Sequence, residues 1–145
     1  MAEVVLRHLI GESDLLRGQV EVTSAGTANW HVGSAMDPRA RDALDRAGFT
    51  SEGSIGAYAS TEFLDRQDYV VVMTREHLID VANRRRRSDG TVILIRSLLD
   101  PQHELDLADP YYGNEEEFDA CLMTIIRSCR ELVPRLRPGD APFEV

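Results

Sequence analysis

Two short apolar runs constrain what this chain can fold into more than any other feature. They are Tyr69-Val70-Val71-Val72-Met73 and Thr91-Val92-Ile93-Leu94-Ile95. Each is continuously apolar rather than alternating, which is the pattern of a strand covered on both faces. Between them, a helical pattern starts at Thr74 or Arg75 and runs to Arg86, and Ser88-Asp89-Gly90 stops it. Strands that alternate with helices imply an α/β fold with a parallel sheet.

The remaining segments extend the alternation. A helix is expected from Ala2 to Leu16, with Val5, Leu6, Leu9 and Ile10 along one side. Val20 to Ser24 reads as a strand. Pro38 to Ala47 reads as a helix, with Asp37 as N-cap, Pro38 as its first residue and Gly48 as its stop. A long last helix is expected from Glu115 to Leu136. With 145 residues there is material for one domain and a substantial core. No repeat or long linker divides the chain. A net charge of −9 argues against nucleic acid as a partner. No apolar run reaches membrane-spanning length and no secretory signal is present, so no membrane partner is expected and the setting is the cytosol. Two cysteines are too few for a disulfide scaffold. Cys121 and Cys129 lie about 12 Å apart along one helix, out of disulfide reach, and read as buried helix residues.

The segment with most chemical content is Asp109-Pro110-Tyr111-Tyr112-Gly113. Proline biases Asp109 toward extended backbone, and the aromatics offer flat walls with polar tips. This suits a general acid above an aromatic-lined slot. The same residues also make ordinary turns. Arg84 to Arg87 is the one basic cluster. It reads as the solvated end of a helix, its charges complementing the helix dipole, before it reads as a phosphate site. His31, beside Trp30, reads equally as a ligand contact and as an exposed loop residue.

Other motifs surround this one. Ser24-Ala25-Gly26-Thr27 follows the Val20 run, then come Trp30-His31-Val32-Gly33 and Met36-Asp37-Pro38-Arg39-Ala40. Leu98-Leu99-Asp100-Pro101 precedes the Asp-Pro-Tyr-Tyr-Gly segment, and Phe118 follows it. In this order and spacing the chain resembles the low-molecular-weight protein tyrosine phosphatases, most closely the bacterial branch with Thr-x-x-Trp-His-x-Gly. The resemblance runs from Met1 to about Arg137. It implies a three-layer fold, a parallel sheet flanked by helices, over residues 1–137, with a flexible tail at 138–145. It implies hydrolysis of a phosphotyrosine protein or a small aryl phosphate, with no cofactor and no metal. Asp109 matches the acid that protonates the departing phenol and then activates water. Trp30, Tyr111 and Tyr112 match the pocket walls. Ser24 sits where the family braces its phosphate loop, and the helix from Ala2 matches the one whose N-terminus faces the phosphate.

The family's nucleophile belongs to a Cys-x5-Arg-Ser/Thr-Pro loop after the first strand, and Met-Ala-Glu commonly follows that proline. Here Met1-Ala2-Glu3 opens the sequence. The resemblance therefore implies an N-terminally incomplete domain, without its central first strand, cysteine nucleophile and phosphate-binding arginine. Cys121 to Ser128 reads literally as Cys-x5-Arg-Ser, but it lies in the last helix. There, Cys121 and Arg127 are about 240° apart around the axis and about 9 Å along it. It also lacks the glycine that a cradle of inward N–H groups needs. The family's His-x-Ala-Arg appears as Ser54-Ile55-Gly56-Ala57, and its Met-Asp after the strand as Met73-Thr74. Two accounts stand side by side: a phosphatase whose strand and loop lie upstream of Met1, and a non-catalytic pseudophosphatase that binds a phosphoprotein. An arsenate reductase-like redox enzyme is the weaker third, since neither cysteine suits it.

Overall fold

The computed structural model describes residues 1–28, 32–51, 53–102 and 105–138. Trp30, His31 and all of the expected tail beyond Pro138 lie outside these residues. Five helices and two strands order the rest: α1 (Ala2–Glu12), α2 (Pro38–Arg46), α3 (Thr61–Leu64), β1 (Tyr69–Val72), α4 (Arg75–Arg84), β2 (Thr91–Leu94) and α5 (Glu115–Leu132). Short 3-10 turns follow at Ile95–Leu98, Pro110–Tyr112 and Val133–Arg135.

β1 and β2 pair in parallel, with Tyr69 opposite Thr91 and Val72 opposite Leu94. On one face, Ile93 packs with Leu16, Leu132 and Leu136, and Val71 joins them. On the other face, Val72 and Leu94 meet Leu64 of α3 and Val81 of α4. The largest apolar cluster joins Val4 and Val5 of α1 and Ala43 and Leu44 of α2 to Phe118, Leu122, Ile125 and Ile126 of α5. The result is the expected three-layer α/β arrangement, a parallel sheet between helices.

Local chemistry accounts for most element ends. The Asp37 carboxylate accepts from the Arg39 N–H at 2.8 Å and caps α2, where Pro38 stands first. Gly48 follows with φ +83°, a left-handed backbone that favours glycine. Asn114 and Glu117 form a reciprocal capping box on α5.

Several boundaries differ from expectation. α1 ends at Glu12, because Ser13 turns extended and donates to Ile10 O; Leu16 is buried from the turn beyond. α4 ends at Arg84, because Asp65 Oδ1 takes the Arg86 and Arg87 N–H groups at 2.8 and 3.1 Å. Ile95 leaves the second strand for the 3-10 turn. α5 gives way to 3-10 turns at Val133, beside Pro134, which has no N–H to continue the ladder. Residues 61–64 form a helical turn that periodicity alone did not mark. The largest correction concerns Val20 to Ser24. The segment is not a strand, for among the described residues it has no ladder partner. β1 is also less covered than a strand buried on both faces: only Val72 is buried, and Tyr69, Val70 and Val71 are half-buried.

Candidate active site

The site gathers at the carboxyl end of β1, where open α/β sheets generally bind ligands. The segment leading to Asp109 is pinned there. Leu107 N–H donates to Met73 O at 2.9 Å, one residue past β1. Asp106 accepts from the Arg75 backbone at 2.8 Å and pairs with its guanidinium, which holds the Asp106 carboxyl below the usual carboxylate range. Arg96 donates to Asp106 O at 3.0 Å. Asp109 then caps the 3-10 turn, its Oδ1 accepting from Tyr111 N–H at 3.0 Å. The turn reading of Asp-Pro-Tyr-Tyr and the acid reading therefore coexist, because one carboxylate oxygen suffices for the cap. Asp109 is exposed, as a proton donor to a substrate must be.

Arg39, to which sequence reasoning gave no role, holds this turn from the side. Its guanidinium pairs with Asp37 at 2.8 Å and donates to Gly113 O at 3.4 Å. It lies 5.6 Å from the Tyr111 ring centre and 4.7 Å from that of Phe118. The hydrogen bond from Arg39 holds the Asp37 carboxyl below the usual carboxylate range. The signal that could have found Arg39 is an arginine two residues after an aspartate N-cap. Tyr111 meets Tyr112 edge-on at 5.1 Å and 89°. Tyr111 is half-exposed; Tyr112, at 97% exposure, stands almost wholly in solvent.

The start of α1 packs on the cluster that holds Leu107 and Phe118, with Met1, Ala2 and Cys121 partly buried against it. Met1 caps α1 without a side-chain bond. Ser24 Oγ donates to Glu3, which pairs in turn with Arg7. Ser24 is thus tied to the first turn of α1. The structure brings Ser24 to the first turn of α1, and sets Asp109 and Tyr111 together on the 3-10 turn. Trp30 lies outside the described residues.

Neither cysteine has the setting of a nucleophile. Burial pushes the Cys129 thiol up to about 12 and the half-buried Cys121 thiol above its ordinary value. The Cys-x5-Arg string lies wholly within α5. Its Arg127 is exposed beside Leu98, Leu99 and Glu131, away from Asp109. The basic cluster is a set of internal ties: Arg84 donates to Thr27 O at 2.8 Å, Arg85 to Gln67 O at 2.8 Å, and Arg87 pairs with Asp68 and Asp89. Among the described residues, no helix is long and apolar enough to cross a membrane.

Comparison with known proteins agrees with this geometry. Residues 1–140 match the family described as low molecular weight phosphotyrosine protein phosphatase. The phosphatase of that name from Sus scrofa is 29% identical over 140 residues, covering 94% of this chain and 87% of the pig protein. Low molecular weight protein-tyrosine-phosphatase YfkJ of Bacillus subtilis is 30% identical over 141 residues, covering 94% and 86%. The crystal structure of YfkJ superposes with a TM-score of 0.78 at 26% identity, over 92% of this chain and 82% of that one. The chain belongs to the low-molecular-weight phosphotyrosine protein phosphatase family.

Proposed function

We propose that this chain is the acid-and-pocket part of a phosphotyrosine phosphatase, acting on a phosphotyrosine protein or a small aryl phosphate. Asp109 is the general acid, Tyr111, Tyr112 and Trp30 wall the aryl group, and Ser24 braces the phosphate loop. The observation that carries this reading is the turn at Asp109: it is anchored by Leu107 on Met73 and by Asp106 on Arg75, clamped by Arg39, and open to solvent. In the family's chemistry a cysteine thiolate attacks phosphorus and the phosphorus–oxygen bond to the phenol breaks. Asp109 gives the departing oxygen its proton. The resulting carboxylate then takes a proton from water, which attacks phosphorus and frees the thiolate and phosphate.

Within the 145 residues neither thiol can take the nucleophile's part. The reading therefore assigns the nucleophile and the phosphate-binding arginine to a strand and Cys-x5-Arg loop joined ahead of Met1, and the 145 residues by themselves are inactive. A cytosolic setting goes with two free thiols. Ser54 to Ala57, in place of the family's His-x-Ala-Arg, favours a second reading, a pseudophosphatase that binds phosphoproteins without hydrolysis. There, Ile55 bridges Ala35 and Ala57 O accepts from Gly26 N–H at 2.8 Å, a structural use of the segment.

The test is release of p-nitrophenol from its phosphate at mildly acidic pH. The 145-residue chain gives none above blank; the chain extended by the strand and loop turns over. In the extended protein, Asp109→Asn lowers kcat by about 10²–10⁴-fold, the usual range for lost general acid help. The loss is largest for poor leaving groups. Turnover by the short chain that Cys121→Ser abolishes would overturn the assignment. An inactive extended chain that still binds phosphotyrosine would select the second reading.

A further inference from the structure

The outward side of α5 carries a row of exposed side chains: Glu116, Ala120, Met123, Arg127 and Arg130. Glu116, Met123 and Arg130 stand seven residues apart. Seven residues make two helical turns to within about 20°, so the three share one face. Phe118, Leu122, Ile125 and Cys129, which face the core, lie on the other side of the helix. The space along β1 meets α5 on that far side too, at Cys129 and Leu132. Charge changes sign along the row. Glu116 stands at its acidic end, Arg127 and Arg130 at its basic end, and Met123, 55% exposed, between them. Other charges of the same helix are paired within the chain: Glu115 and Asp119 with Arg46, and Glu131 with Arg135. Glu116, Arg127 and Arg130 have no ion-pair partner among the described residues. For Glu116 and Arg130 the helix offers none, since no opposite charge stands three or four residues from either. They lie about 21 Å apart along the axis, too far to pair with each other.

We infer that this row is a self-association face, on which α5 of a second copy of the chain lies antiparallel, about a two-fold axis at Met123. The row is its own complement. Turned end for end about Met123, it sets Arg130 against Glu116 of the second copy and Glu116 against that copy's Arg130, because both stand seven residues from the centre. The aliphatic stem of Arg127 lies over Ala120 of the second copy, whose small side chain gives it room. The two Met123 side chains meet at the axis, where a flexible thioether adapts to its own copy. A closed two-fold contact requires one face that fits itself, and this row has that property. A parallel pairing fails, since it sets Glu116 against Glu116 and Arg130 against Arg130. A partner of one charge would satisfy only one end of the row. A single helix face on each side makes a small interface, under about 1,200 Å² in total, so the pair is weak and reversible. The inference goes beyond the phosphatase reading and stands without it, since the face holds neither Asp109 nor a pocket residue.

The experiment is sedimentation of the 145-residue chain at physiological ionic strength. Concentrations run from about 5 µM to about 1 mM, the range in which small interfaces form. The chain passes from monomer to dimer, with no larger species. Glu116→Arg alone and Arg130→Glu alone each weaken the dimer by at least about tenfold, since the two-fold then sets like charges together twice. Both changes in one chain restore it to within about threefold, because each pair is remade with its signs exchanged. Mixed one to one, the two single variants form a heterodimer tighter than either variant forms with itself. Circular dichroism and thermal midpoints verify that each variant keeps the fold. A monomer throughout the range would overturn the inference and leave the row to a different partner. Dimers that neither single change weakens would overturn it as well, for the copies would then meet elsewhere, as along the free edge of β1. So would a double variant as weak as the single ones, since residues 116 and 130 would then not be opposed.

Discussion

The turn at 109–113 and the stretch at 20–25 are both short and lie outside the helices and strands of the sheet. They are held in opposite ways. The turn has a backbone bond to Met73, an ion pair from Asp106 to Arg75, a cap from Asp109 and the Arg39 guanidinium against Tyr111. The 20–25 stretch has a backbone bond from Val20 N–H to Leu16 O at 3.2 Å, a side-chain tie at Ser24 and a 3.4 Å contact from Arg7 to Val22 O. Regular structure therefore does not measure how firmly a segment is held. A short turn with several independent anchors holds a side chain in place better than a segment with few, because placing a group to within an ångström needs more than one constraint.

Core truncations give the largest test of this contrast. Leu122→Ala, at a site 2% exposed between α1, α2 and α5, costs about 2–5 kcal/mol in urea unfolding, the range for a leucine cavity that cannot collapse. Val71→Ala, on β1, loses well under about 2 kcal/mol, since a half-buried valine gives up little surface. Equal losses would break the comparison, by showing that the half-buried strand packs as tightly as the closed core.

The next effect is set by pH. The Cys129 thiol, held by burial up to about 12, keeps its proton in the folded chain while the unfolded chain releases it near 9. The native state then binds more protons, so stability falls as pH rises from about 9 toward 12. Cys129→Ala removes that part of the slope. Unfolding midpoints measured across this window check it, and a slope unchanged in the variant would show that the closed side admits solvent.

A smaller effect belongs to Arg39. Its cation–ring contacts with Tyr111 and Phe118 are worth about 0.5–2 kcal/mol together, so Arg39→Ala lowers stability by that order. A double-mutant cycle with Tyr111→Ala isolates the coupling. Zero coupling would mean that the turn rests on Asp109, Leu107 and Asp106 alone. Smallest of all is Tyr112→Ala, which changes stability by less than about 0.5 kcal/mol because the side chain is almost fully exposed. A larger loss would reveal an anchor that the closed side hides.

What the sequence determined by itself was local or nearly so. Asp37-Pro38 opens α2, Asn114 and Glu117 box α5, and the runs at Tyr69 and Thr91 form parallel strands, because capping, proline and apolar patterning act over a few residues. The motif order around Asp109 was enough to name the family. Tertiary structure alone decided the rest. Whether 20–24 is a strand depends on a neighbour that its own residues cannot supply. Whether Arg39 serves the turn depends on α2 lying beside α5, which pairs Arg46 with Glu115 and Asp119 at 2.5 and 2.7 Å. The Arg84–Arg87 cluster reads as solvated charge in sequence, yet it ties distant carbonyls and carboxylates. Long side chains reach partners tens of residues away, and no pattern within a window of sequence records where they end.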